Sequence, residues 1–366
     1  MSHRRTDSAS STCTVLTCTS DQFWDVYDND KLSTIELVRD VLNNAIRPRK
    51  TFLRQSDTRF HLDDLLVGML QQAPDPSGQR YVAVALLIAH EKGTEAVIDI
   101  ARAWMDYLFL PMLSIARAVR TEPTSSQTPT IDTTVQHIEG ADRLEQTRLR
   151  DLTSQREQHR CAITGAFDLS FVSKLLQQGR GKEIPDVPQL RMEAAHIIPF
   201  LLNDFDNKPD ITSEIRDAAR TWDMLQSWTN LDLRKILGSK INSPANAIFM
   251  TAEEHHSFGR FRFYLDKQTY PDIPNRYQAR MVQDGRRFSN GRVSTIVDFR
   301  KVEGIDLPDP QFLEIHAAFA RVLNLCGAAE YFESVERNAE GGMTLLTDGT
   351  TDIESLLLCR LPIAAY

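Results

Sequence analysis

Cysteine is scarce in this chain. Five cysteines, Cys13, Cys18, Cys161, Cys326 and Cys359, are scattered over 366 residues with no CxxC spacing. That pattern excludes a disulfide framework and a paired-cysteine zinc knuckle, and it points to reduced thiols in an intracellular protein. Long hydrophobic runs are missing as well. No segment approaches the roughly 20 apolar residues that a membrane-spanning helix needs. The most apolar piece, Tyr81 to Ile88, is soon interrupted by His90, Glu91 and Lys92. The start, MSHRRTDSASSTCTVLTCTS, holds no apolar stretch long enough for a signal peptide. The expectation is an intracellular protein, cytoplasmic or nuclear, without a membrane partner. Excess positive charge is lacking too: 42 Lys and Arg face 50 Asp and Glu, a formal charge of −8. Such a balance argues against nucleic-acid binding over the whole surface. Residues 156–290, with 19 Lys and Arg against 17 Asp and Glu, are near neutral, so a local basic cleft stays open. There are no internal repeats.

What is present is ordinary globular material, 42% hydrophobic and 25% charged, enough for two structured units. Residues 1–22, rich in Ser and Thr, read as a disordered tail. Residues 23–120 read as a small helical N-terminal unit. In it Ser33 and Glu36 have capping-box spacing ahead of an apolar stripe that Pro48 ends. A second helix runs from His61 to Gln72. Gly78 to Arg120 reads as two apolar helices divided near Gly93, with a stop or kink at Pro111. Residues 121–136, TEPTSSQTPTIDTTVQ, form a Pro/Ser/Thr linker. Ile138 to Arg160, dense in Arg, Glu and Gln, reads as a solvated helix opening a second domain, residues 137–336. There, short β-like runs at Met192–Ile198, Ala247–Met250, Phe261–Leu265 and Val293–Phe299 are interspersed with helices near Leu169–Gln178, Ile211–Trp228 and Gln311–Leu325. This is α+β organisation without regular βαβ alternation. Residues 337–366 read as a C-terminal tail.

Three segments of the second domain carry chemistry: Arg160-Cys161-Ala162-Ile163-Thr164-Gly165; Glu193-Ala194-Ala195-His196-Ile197-Ile198-Pro199; and Ile241-Asn242-Ser243-Pro244-Ala245-Asn246-Ala247-Ile248-Phe249-Met250, continuing to His255-His256-Ser257-Phe258. His196 ends an apolar strand just before a proline. Asn246 precedes another apolar strand. His255 follows on a helix that Thr251 opens, with Glu254 in capping-box position. The ordered set resembles the HNH nuclease family, and most closely a branch common in fungal genomes with RCxxTG, AAHIxP, INxxxNAI and HxxF. The likeness covers roughly residues 155–335.

The resemblance implies a ββα-metal fold, a two-stranded hairpin packed on a helix around one divalent ion. It places His196 at the general base, Asn246 at the middle Asn that ties the loop and orients the base, and His255 at the helical metal ligand. A His base suits neutral pH, and the ion would stabilise charge developing on a phosphodiester.

Two positions depart from the family pattern. Ala195 stands where a second ligand usually precedes the base, and Gly259 stands where another follows four residues after the helical His. Glu193, two residues before Ala195 on the same strand face, is a candidate replacement ligand; the alternative is a carboxylate paired with Arg191. His256 is turned away from His255 by the helix. Cys161 reads as a small buried side chain, and Trp222, Leu225 and Trp228 read as core. Arg260 and Arg262, with Arg276, Arg280, Arg286 and Arg287, would meet substrate phosphates or simply be surface. The expectation is a metal-dependent endonuclease acting on DNA or RNA with Mg, Mn, Zn or Ni. Two alternatives stay open: a metal-independent enzyme that uses His196 as acid or base on a small molecule, and a non-catalytic scaffold.

Overall fold

The computed structural model of the chain describes residues 20–29, 33–57, 59–113, 145–203 and 213–340. Its elements begin with helices α1 (Ser20–Tyr27), α2 (Thr34–Asp40), α3 (Lys50–Gln55), α4 (Leu62–Gln72), α5 (Pro76–Lys92), α6 (Thr94–Trp104) and α7 (Glu145–Arg156). Strand β1 (Phe167–Asp168), helix α8 (Leu169–Gln177), strands β2 (Gln189–Leu190) and β3 (Met192–His196) and helix α9 (Ser213–Thr229) follow. Then come β4 (Ala247–Thr251), α10 (Ala252–Gly259), β5 (Phe263–Asp266), β6 (Arg276–Met281), β7 (Ser294–Asp298), α11 (Pro310–Leu325) and α12 (Ala328–Glu340). The α+β class is the one expected. The expected linker, 121–136, lies outside the described residues, as do residues 1–19 and 341–366 of the expected tails. The described parts of those tails are helical: residues 20–22 open α1 and 337–340 close α12. No single helix among the described residues is long and apolar enough to cross a membrane.

The chain divides into two compact units. The first takes the described residues of Met1–Ile138, Phe205–Leu233 and Arg321–Tyr366; the second takes those of Glu139–Asp204 and Arg234–Ala320. The sequence reading runs one domain through 137–336. In the structure α9 is counted with the first unit, and the boundary falls inside α11. The reason for α9 is packing. Its Ala219, Trp222, Leu225 and Trp228 are fully buried. Trp228 Nε1 donates to the Met69 carbonyl at 3.0 Å, and its ring lies 5.8 Å from that of Phe109. The expected core role of Trp222, Leu225 and Trp228 is met in the first unit. At Gly78 the backbones of α5 and α9 approach so closely that a Cβ would fall 1.7 Å from the Trp228 carbonyl oxygen.

In the first unit the Ser33–Glu36 capping box forms as read: the Ser33 side chain accepts from Glu36 N while Glu36 accepts from Ser33 N. Pro48 does not end this run. A π-helical turn, Val41–Ile46, leads into a 3₁₀ turn, Arg47–Arg49, and α3 continues from it. The change of hydrogen-bond ladder there absorbs proline's missing donor.

In the second unit β3 pairs antiparallel with β4, His196 opposite Ala247 and Glu193 opposite Met250. Strands β5, β6 and β7 form an antiparallel meander, and β1 pairs parallel with β2. Strand β6, RYQARM, is not among the strands expected from the sequence, because its two inward residues, Tyr277 and Ala279, make a weak apolar pattern. Of the helix expected from 138 to 160, α7 covers Glu145–Arg156, residues 157–160 are turn and bridge, and residues 138–144 lie outside the described residues; the end of α7 is not simply solvated. Arg156 is buried and donates to the carbonyls of Pro244, Asp306 and Ala247 at 2.7, 2.7 and 2.6 Å. It thereby anchors the start of β4. No charge-free side chain could satisfy three converging carbonyls at once.

Candidate functional site

The site is assembled on the β3–β4 hairpin and α10. Helix α10 leaves β4 without a loop, because Thr251 both ends the strand and caps the helix, its side chain accepting from Glu254 N. The capping box expected here closes differently. The Glu254 carboxylate bonds the Thr251 hydroxyl and also accepts from Ser289 N at 2.9 Å, while Thr251 N donates to Cys161 Sγ at 3.4 Å. Cys161 is buried and unpaired, as read, and its sulfur accepts a second bond from Thr164 N at 3.3 Å. Burial pushes its thiol up, so it fastens the turn to the helix start rather than acting as a nucleophile.

At its other end α10 closes in a Schellman arrangement. Phe261 N bonds Phe258 O and Arg262 N bonds Ser257 O, with Phe261 at φ 55°. A left-handed phenylalanine is held there by burial against His316, whose ring also stacks on Phe258 at 3.7 Å. His316 Nε2 lies 3.0 Å from the Phe258 carbonyl, and burial pushes the imidazole down to about 3. It is a core histidine.

Asn246 is fully buried. Its Oδ1 accepts from Ile198 N at 2.9 Å, and its Nδ2 donates to the carbonyls of Ile198 at 2.9 Å and Ile241 at 3.0 Å. It therefore clamps the segment after His196 to the 3₁₀ turn Gly238–Asn242. Its side chain makes no hydrogen bond to His196. That contact is made by Asn242, whose Oδ1 lies 3.0 Å from His196 Nε2. Asn242 lies in the same motif as Asn246, and the family resemblance implies no role for it. The signal was its place four residues before Asn246, which nothing in a local pattern ties to a histidine 46 residues away.

His196 keeps a partly exposed edge, while burial of the ring pushes it down to about 4, against the Asn242 hydrogen bond and with help from the His255 charge. It is neutral at pH 7. At the far end of the strand face, Glu193 Oε2 lies 2.7 Å from His255 Nδ1. The hydrogen bond from His255 holds the Glu193 carboxyl below the usual range, with smaller contributions from the charges of His255, Arg191 and Arg150 and with burial opposing. Arg191 thus acts on Glu193 at a distance, and His255 is its bonded partner. His256 is exposed, as the helical turn requires. Ala195 is fully buried, and at Gly259 an added Cβ would meet nothing within 4 Å.

Among the described residues no three His, Cys, Asp or Glu side chains cluster as a metal cage. The donor set here is one imidazole and one carboxylate, adjacent and partly open to solvent. The carboxylate suits a hard ion such as Mg²⁺ and the imidazole a borderline one such as Zn²⁺ or Ni²⁺, so with one of each the donor set selects no particular ion.

The arginines sort into two groups. Arg276 pairs with Asp298 at 2.6 Å, and Arg280 with Asp266 at 3.0 Å. Arg286 bonds Gln283 and Arg287 the Gly291 carbonyl. Arg260 caps α10 and Arg262 follows it, both half-buried.

The β3–β4 pair and α10 thus bring together a neutral histidine, a buried Asn clamp and a His–Glu pair. Residues 161–266 match the model of a family described as HNH endonuclease. That stretch contains every residue of the site. No curated protein and no solved structure matches the chain.

Proposed function

We propose that the second unit is a ββα-metal nuclease domain that hydrolyses phosphodiesters of DNA or RNA with His196 as general base. The observation that carries the reading is the partly exposed imidazole of His196, neutral at pH 7 and held by Asn242, on the same strand as Glu193 of the Glu193–His255 pair. A neutral imidazole takes the proton of a water as the water oxygen bonds to phosphorus and the ester oxygen leaves. The low proton affinity weakens the base in the free protein; the anionic phosphate beside the ring raises it on binding. His255 and Glu193 would hold a divalent ion, which when bound supplies positive charge for the phosphorane and the leaving oxygen. Arg260 and Arg262, at the C-terminal end of α10, would contact flanking phosphates.

The test is cleavage of plasmid DNA and of labelled single-stranded DNA and RNA by the full chain in Mg²⁺, Mn²⁺, Zn²⁺ or Ni²⁺. Expected is ion-dependent cleavage that His196→Ala lowers by roughly 10²–10⁴-fold while binding persists. No cleavage in any of the four ions by folded protein, or a His196→Ala variant as active as wild type, refutes the reading. The first outcome would turn attention to metal-independent chemistry on a small molecule.

A further inference from the structure

We propose that Asn242 is a positioning residue that fixes the tautomer of His196, so that Nε2 carries the proton and Nδ1 presents its lone pair to the reacting water. The proposal rests on the nuclease reading for its chemistry and on geometry for its substance. The Asn242 amide oxygen lies 3.0 Å from Nε2 and can only accept, so Nε2 must donate. His196 Nδ1 has no hydrogen-bond partner among the described residues, nor is it among the fully buried atoms that lack one. It is therefore the nitrogen left open for chemistry.

The amide is itself held from behind. Asn242 ends the 3₁₀ turn Gly238–Asn242 and is only 8% exposed. The Ile241 carbonyl next to it is bonded by Asn246 Nδ2, and the Lys240 carbonyl by Ser243 N at 2.9 Å. Asn246 thus reaches His196 through two steps: it pins the turn, and the turn presents Asn242.

An amide in this place has a consequence that a carboxylate would not. Both would select the Nε2–H tautomer. A carboxylate would also stabilise the imidazolium and load the base with a proton before substrate arrives. The neutral acceptor selects the tautomer and leaves the ring uncharged.

The experiment is long-range ¹H–¹⁵N NMR of full-length, metal-free protein labelled at histidine, the His196 ring being identified by its loss in His196→Ala. Expected at pH 7 is a protonated Nε2 and a bare Nδ1 in wild type, and averaged ring-nitrogen shifts in Asn242→Ala. A protonated Nδ1 in wild type, or unchanged shifts in Asn242→Ala, overturns the proposal. Both results are legible whether or not the protein cuts nucleic acid, so they stand apart from failure of the nuclease reading. Asn242→Asp supplies the control for folding. It keeps the wild-type tautomer and moves the protonation midpoint of His196 up by about one unit or more. A purely structural Asn242 would make the Ala and Asp variants fail alike, with the same tautomer mixture in both.

Discussion

Replacing Asn246 by Ala should cost more stability than any other single truncation at the site. The side chain satisfies three backbone groups: the N–H and carbonyl of Ile198 and the carbonyl of Ile241, at 2.9, 2.9 and 3.0 Å. Asn246, Ile198 and Ile241 are all fully buried. Truncation leaves those groups unpaired, at about 1 kcal/mol or more each, so the loss is about 3 kcal/mol before any water enters the vacated space. Against the roughly 5–15 kcal/mol that holds a typical domain together, this is a large fraction. Asn242→Ala removes the bond to His196 Nε2 and should cost about 1 kcal/mol or more. Urea unfolding followed by far-UV circular dichroism measures both, and hydrogen exchange of a peptide spanning 192–198 localises the effect. Asn246→Asp sharpens the logic, because a carboxylate oxygen would then face two carbonyl oxygens where an N–H₂ donated. A loss under about 1 kcal/mol for Asn246→Ala, with exchange at Ile198 unchanged, would refute the clamp.

Two further outcomes follow from packing and charge. Gly78→Ala sets a Cβ 1.7 Å from the backbone oxygen of Trp228 and should destabilise the first unit by about 3 kcal/mol or more. All four tryptophans lie in that unit, so their fluorescence during unfolding reads it directly; wild-type behaviour would contradict the close approach. Glu157 is pushed up to about 7 by burial, which outweighs the Arg156 guanidinium 2.8 Å away. A folded value above the unfolded one means that stability is full below about pH 4.5 and declines as pH rises through 7. Glu157→Gln should therefore melt close to wild type at pH 4.5 and gain on it by up to about 3 kcal/mol at pH 8.5; a constant difference across that range would exclude a buried, proton-binding Glu157.

The parts of this protein that the sequence determines alone are those written within a few residues of chain. The apolar run ending at His196, the run after Asn246 and the Thr251 cap mark β3, β4 and α10 because short apolar runs and capping are written between near neighbours. The ordered motifs also locate the segment that matches the HNH endonuclease family. Local pattern misplaces elements where the ladder shifts, as at Pro48, or where the inward face is thin, as in β6. Tertiary structure alone decides the pairings that span long stretches of chain. Glu193 could take Arg191 or a ligand role by sequence, and the fold turns it to His255, 62 residues on. The motif gives a role to Asn246 and none to Asn242; folding sets Asn242 against the histidine and Asn246 against the backbone. Helix α9 lies between β3 and β4 in sequence, yet its Trp228 packs against α4 and α5. A side chain's neighbours across such distances depend on how the whole chain closes and which burial it completes, and no window of sequence contains that.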